Sequence, residues 1–201
     1  MDAASWDERY RGGELVWKAG PNRFVAEELA GLEPSGRAVD LAAGEGRNAV
    51  WLAERGWEVD AVDFSAVALE KAGRLAADRG ARLRTVHADL TLWAPAEATY
   101  DLALIAYLHL PWPDMAQILP RAAAAVRSGG TLLLVGHDAA NPERGHGGPQ
   151  DPRVLYTAEQ VADLWRPYAD ILRAETVTRP VTLAEGSSRT ALDALVRAVR
   201  R

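Results

Sequence analysis

The sequence predicts an α/β fold in which five parallel β/α units are closed by an antiparallel hairpin. Three observations lead there. A short apolar run at 38–41 breaks at a glycine turn and is followed by a helical stretch and a second apolar run at 57–62, the layout of a βαβ crossover. Further apolar runs at 83–86, 102–106 and 131–135 alternate with segments whose apolar residues recur every three or four positions. Two final extended runs, 171–183 and 190–199, are joined by the polar turn Glu185, Gly186, Ser187, Ser188. That turn is too short for a parallel return, which needs a crossover of about a dozen residues, so the pair must be antiparallel.

Length and composition set the bounds. A chain of 201 residues fits one domain with a single core. Hydrophobic residues make up 48% and charged ones 25%, the balance of a globular protein. The absence of cysteine excludes disulfides, a thiolate nucleophile and cysteine-ligated metal. A net charge of −5 without a long basic run argues against nucleic acid as the main partner. No segment reaches the ~18 uncharged apolar residues of a membrane span, and no apolar signal core stands at the N-terminus, which together point to the cytoplasm.

The elements follow in order. Residues 1–20 combine Trp6, Tyr10 and Trp17 with several charges, a density of aromatics that a disordered leader would lack. The segment is read as an arm packed on the sheet edge or as a lid hinged at Gly12, Gly13 and Gly20. Asn22 is placed to cap a helix burying Phe24, Val25 and Leu29 and ending at Gly31. After the strand at 38–41, Gly44 and Gly46 bracket Glu45, where the backbone can turn tightly and approach a ligand. A buried helix over 48–55 stops at Gly56, and the next strand closes on Asp63. A carboxylate at that strand tip lies where a nucleoside ribose presents its hydroxyls.

Gly44, Gly46 and Ala49 also fit the dinucleotide pattern, with Asp63 near the expected ~20 residues downstream. Asp40 separates the readings. A carboxylate four residues before the first glycine repels a pyrophosphate and attracts a cationic ligand. In DLAAGEG the sequence resembles the first motif of class I S-adenosylmethionine-dependent methyltransferases, with Ala42 where a glycine is usual. The alanine is expected to manage with a negative φ. The run WDERY followed by WKAGPNRFVAEEL resembles the N-terminal segment of small methyltransferases of the tellurite-resistance type, which implies cofactor contacts at Tyr10, Trp17 and Asn22, the last in competition with its capping role.

Ser65 should cap a helix carrying Leu69, Ala72, Leu75 and Ala76 and ending at Gly80. Beyond the strand at 83–86, His87 reads as strand or surface, and Asp89 with Leu90 resemble the pair that holds adenine; Asp89 alternatively caps the turn. The run at 102–106 reads as a strand buried on both faces, so Tyr107, His109 and Pro111, Trp112, Pro113 face the site beyond its carboxyl end. His109 is the first candidate base; otherwise it bonds loop backbone. Asp114 is expected to cap a helix through Val126, with Pro120 interrupting or kinking it near the start. Gly129 and Gly130 launch the fifth strand, and His137 is the second candidate base, with His146 a weaker one, in a loop at 137–155 rich in turn formers and read as structureless. The histidine spacing fits no zinc template, so no metal is expected. Thr157 and Gln160 form a capping box for a helix to Tyr168.

The resemblance spans essentially the whole chain and implies a Rossmann-like three-layer sandwich whose seven-stranded, mostly parallel sheet has its last strand antiparallel. Within one domain it implies an N-terminal arm and helix at 1–31, a cofactor-binding core at 37–136, a substrate loop at 137–155, and a helix with the C-terminal hairpin at 157–201. S-adenosylmethionine would be held by Asp40, Ala42, Gly44, Gly46, Asp63, Phe64, Asp89 and Leu90, with Tyr10, Trp17 and Asn22 from the arm. Arg47 either pairs with the cofactor carboxylate or is surface, and surface is preferred. The expected reaction moves a methyl group to a small-molecule oxygen, nitrogen, sulfur or metalloid acceptor. The competing readings are a non-catalytic cofactor binder and an NAD(P)-dependent oxidoreductase.

Overall fold

A computed structural model describes residues 3–12, 15–16, 20–33, 36–183 and 186–201. Its strands are β1 (Arg37–Leu41), β2 (Glu58–Asp63), β3 (Leu83–His87), β4 (Tyr100–Ala106), β5 (Val126–His137), β6 (Ala169–Thr182) and β7 (Ser188–Arg200). They form one seven-stranded sheet in the order β3-β2-β1-β4-β5-β7-β6. The first five pair in parallel, and β7 runs antiparallel to both β5 and β6. The fold class read from the sequence is the one observed.

Among the described residues seven α-helices and a short 3-10 turn at Pro152–Val154 complete the layers: α1 (Ala3–Tyr10), α2 (Arg23–Leu29), α3 (Arg47–Glu54), α4 (Ala66–Asp78), α5 (Trp112–Ala125), α6 (Asn141–Arg144) and α7 (Ala158–Trp165). Side chains alternate across a strand, so the apolar central strands supply both faces. Leu102, Leu104, Leu133 and Val135 join Val25 and Leu29 of α2 and Ala49 and Leu52 of α3 on one side. Ala103, Ile105, Leu132 and Leu134 join Met115, Leu119 and Ala122 of α5 and Val161 and Trp165 of α7 on the other. Among the described residues no helix is long and apolar enough to cross a membrane.

Several helix starts obey the local signals. Asn22 Oδ1 accepts from the Phe24 and Val25 amides, Ser65 Oγ accepts from the Ala68 amide, and Thr157 with Gln160 makes a complete capping box. Three expectations need correction. Asp114 does not cap α5: the helix already begins at Trp112, because the Pro111 carbonyl accepts from the Asp114 and Met115 amides and proline suits a first turn. Pro120 does not break that helix, which runs through it to Ala125. The segment 137–155 is not structureless. It contains α6, and Asn141 pins it to the sheet by accepting from the Leu192 amide and donating to the Gly147 carbonyl.

Candidate active site

The cofactor end is built where β1 stops. The chain reverses at once, with Ala42 at φ 66°, Gly44 at 54° and Gly46 at 80°. The expectation of a negative φ at Ala42 is therefore overturned: the turn is left-handed, at a cost of roughly 1–2 kcal/mol for a residue with a Cβ. Gly46 has no room for a side chain, and Gly44 has little. A Cβ at Gly44 would lie 3.1 Å from the Tyr10 hydroxyl, and one at Gly46 would lie 2.6 Å from the Ala72 Cβ.

Asp40, on β1, is 1% exposed, and neither carboxylate oxygen has a hydrogen-bond partner among the described residues. Burial, reinforced by the Asp63 charge and opposed by Arg47 and by the nearby Ala49 amide, which approaches without the alignment of a full hydrogen bond, raises its pKa to about 7. Asp63 is also buried and ties the glycine loop to α4: Oδ2 accepts from the Gly44 amide at 2.8 Å and Oδ1 from the Ser65 amide at 2.9 Å. Burial raises its pKa, and those two amides work against the rise. Between the glycines, Glu45 is buried, paired with Lys71 at 3.0 Å and bonded to the Val16 amide at 3.1 Å. Arg47 is half-buried, turned towards Tyr107 and Asp40, and burial lowers its pKa. The preference for a surface role is overturned, since the first turn of α3 faces the loop rather than solvent.

The N-terminal helix lies across this loop. Tyr10 is buried against Gly44 and stacked on Trp6 at 5.4 Å, and Asp7 accepts from the Ser65 hydroxyl at 2.5 Å. Trp17 and Gly13 lie outside the described residues. Beyond the ends of β2 and β3, Phe64 is half-buried, with its carbonyl 2.9 Å from His87 Nε2, and Leu90 is buried. Asp89 is exposed and closes a turn, Oδ1 accepting from both the amide and the hydroxyl of Thr91 at 2.8 Å.

The second half of the site lies past the carboxyl ends of β4 and β5. Tyr107 sits at φ 61°, donates its hydroxyl to Asp193 Oδ2 at 2.8 Å and accepts from Asn22 Nδ2 at 3.3 Å. Asn22 thus caps α2 and also holds Tyr107; its own amide donates to Asn48 Oδ1 at 2.8 Å. Asp193 is fully buried on β7, directly opposite His137 in the ladder, so both side chains share a face. Its Oδ2 also accepts from Arg179 Nε at 2.6 Å, and its Oδ1 lies 3.2 Å from His137 Nδ1.

His137 meets the Tyr107 ring edge-on at 4.9 Å and stacks on His109 at 5.2 Å. His109 in turn stacks on Tyr156 at 5.5 Å. Its Nε2 accepts from the His137 amide at 3.2 Å, so in the neutral ring Nδ1 carries the proton and donates to the Val154 carbonyl at 3.1 Å. Burial, with the neighbouring His137, lowers its pKa to about 4. As a first candidate base His109 is corrected on geometry: both nitrogens are occupied, and the side chain holds the loop and the His137 ring. His146 is exposed on the same loop, away from this cluster of rings.

Sequence reasoning brought Asp40, Ala42, Gly44, Gly46, Asp63 and Tyr10 to one place and His109 and His137 to another. It missed Arg179 and Asp193. A signal for Asp193 existed, since it is the lone acid in the apolar run TALDALV and a buried carboxylate needs partners. Nothing local marks Arg179.

Residues 38–130 match the family described as methyltransferase domain. A curated relative, ribosomal RNA small subunit methyltransferase C of Alcanivorax borkumensis, is 30% identical over 118 residues, 55% of this chain and 35% of that protein. The chain thus spans about a third of that relative's length. Solved structures share the fold. One, from work on converting a disulfide bond into a thioacetal group during echinomycin biosynthesis, has a TM-score of 0.78 at 20% identity, covering 98% of this chain and 92% of that one. TehB from Haemophilus influenzae has a TM-score of 0.72 at 14% identity over 99% of this chain and 67% of its own. Phosphoethanolamine N-methyltransferase 2 of Haemonchus contortus, in complex with S-adenosyl-L-methionine, has a TM-score of 0.67 at 16% identity over 98% and 56%.

Proposed function

We propose, for a chain whose residues 38–130 match the methyltransferase domain family and whose fold is shared with solved methyltransferases, that it transfers a methyl group from S-adenosylmethionine to a small-molecule nucleophile. The observation that carries this reading is Asp40, a buried carboxylate with two unpartnered oxygens beside a glycine loop. Such a group demands a cation, and the cofactor's ammonium and sulfonium provide one.

The bound cofactor supplies an electrophilic methyl group. The chain's own residues bind and orient it. Asp40 faces its cationic end, while Arg47, at the start of α3 beside it, serves its carboxylate. Asp63 keeps lone pairs for the ribose hydroxyls beyond the two amides it already accepts. Asp89 Oδ2 and the backbone of Leu90 serve adenine, with Ala42 and Phe64 lining the cleft. Tyr10 and α1 cover the loop and exclude water. The acceptor enters between 137–155 and the hairpin of 157–201, where His137 takes up a proton and Asn22 holds Tyr107 in place.

A net charge of −5 favours a small molecule over RNA, the substrate class named for the Alcanivorax relative. An oxidoreductase would set a pyrophosphate against Asp40. Calorimetric titration tests the choice: S-adenosylmethionine should bind at one site, Asp63→Ala should weaken it by about tenfold, or ~1.4 kcal/mol, and NADH should give no heat. Binding of NADH in place of the methyl donor would reverse the assignment. Formation of S-adenosylhomocysteine in a metabolite extract separates an enzyme from a non-catalytic binder.

A further inference from the structure

We infer that Asp193 is a positioning residue that fixes His137 as the Nδ1–H tautomer and keeps Nε2 as the site's proton acceptor, so that the site is equipped for a nucleophile that gives up a proton on methylation, a hydroxyl or an amine. The inference rests on the methyl-transfer reading for its chemical meaning, and for its content on the 3.2 Å approach of His137 Nδ1 to Asp193 Oδ1, two buried atoms that hydrogen-bond no other group among the described residues.

Asp193 is 0% exposed in the middle of an apolar strand. Three groups reach it: the Tyr107 hydroxyl and Arg179 Nε on Oδ2, and His137 Nδ1 near Oδ1. Burial opposes its ionisation, but the contacts with His137, Arg179 and Tyr107 outweigh it and hold Asp193 below the ordinary carboxylate range. An ionised carboxylate can only accept. The proton between it and the neutral imidazole therefore sits on Nδ1, and Nε2 keeps its lone pair.

The ring is clamped in that orientation. His109 stacks on it, and the edge of Tyr107 meets it from another side. Gly148 lies against it: a Cβ there would be 2.8 Å from Cγ, Cδ2 and Nε2, and its φ of 75° also favours glycine. A ring flip, which would present Cδ2 to Asp193, is resisted by these contacts. Among the described residues none bonds Nε2.

Methylation replaces an X–H bond of the acceptor with an X–CH3 bond as the donor's carbon–sulfur bond breaks. The acceptor proton passes to Nε2, and the resulting imidazolium faces the Asp193 charge. The positive charge carried in by the sulfonium is thereby kept in the site on the imidazolium, and the proton leaves later to water.

Long-range proton–nitrogen NMR of the full chain, labelled in histidine and saturated with S-adenosylhomocysteine, reads the tautomer at a pH where imidazole is neutral. His137→Gln assigns its signals among the four histidines. The expected result is a protonated Nδ1 and a bare Nε2 at His137, with Asp193→Asn losing that preference and Tyr107→Phe retaining it. A protonated Nε2 in the wild type, or an unchanged tautomer in Asp193→Asn, overturns the inference. If Asp193→Asn does not fold, the wild-type tautomer decides. Calorimetry of S-adenosylhomocysteine on the same sample reports separately on the methyl-transfer reading, so the two can fail independently.

Discussion

Asp40 and His109 titrate in opposite senses at the same end of the sheet. Asp40 has a pKa of about 7 in the fold against 3.8, so the folded chain holds a proton that the unfolded chain releases. That contribution to stability is full below the unfolded value and is lost as pH rises through 7. His109 is shifted the other way, to about 4 from 6.5; its contribution is present above 6.5 and lost as pH falls through 4. Between these limits the two slopes offset one another. Asp40→Asn removes one of them, so relative to wild type the variant should gain about 2–3 kcal/mol between pH 5 and pH 8 in urea denaturation. An equal difference at both pH values would mean that Asp40 is already ionised in the free protein. At Ala42, with φ 66°, replacement by glycine should relieve the left-handed strain and stabilise the fold by about 0.5–1 kcal/mol, net of glycine's own entropy. The placement of buried Asp40 beside a tight glycine turn was legible because the charge and the turn formers are close in sequence. The sign of φ at Ala42 and the inward turn of Arg47 were not, since both depend on how β1 meets α3 in space.

At the scale of elements, β5 does most to shape the half of the site that holds His137. It pairs with β7 so that His137 faces Asp193, and a slip of one residue would send the two to opposite faces. One residue earlier, Gly136 lies against the fully buried Tyr156: a Cβ there would be 2.0 Å from the hydroxyl and 2.8 Å from Cζ. That hydroxyl donates to the Leu108 carbonyl at 3.0 Å, beside the loop that carries His109. Gly136→Ala should cost about 2–3 kcal/mol in urea denaturation by overpacking. Adding Tyr156→Phe should recover part of that loss; two strictly additive penalties would show that the clash lies elsewhere. Helix caps at Asn22, Ser65 and Thr157 were readable because side chain and amide are close in sequence. The order within 137–155 was not, because Asn141 is held by Leu192, 51 residues away.

For the molecule as a whole, the sheet order leaves the glycine loop and the β4 and β5 ends side by side, and the comparisons agree with that layout. The alternation of apolar runs with helical segments and the short hairpin turn made this architecture legible before any packing was known. Cofactor binding should stabilise it as a unit: S-adenosylhomocysteine at about 100 times its Kd should add ~2.7 kcal/mol and raise Tm by about 5–10 °C. An unchanged Tm would count against a preformed site.

The hairpin formed by β6 and β7 runs on after β5 has ended: Leu192 still bonds Asp138 and Asn141, and residues 188–191 of β7 are laddered to β6 alone. Its outer rungs are therefore shared with nothing on the donor side. Adding or removing matched residues in the two arms beyond Arg179 would raise or lower the wall around the acceptor while the rung joining His137 to Asp193 stayed where it is. Tailoring what enters the pocket is, in this architecture, a matter of trimming an overhang.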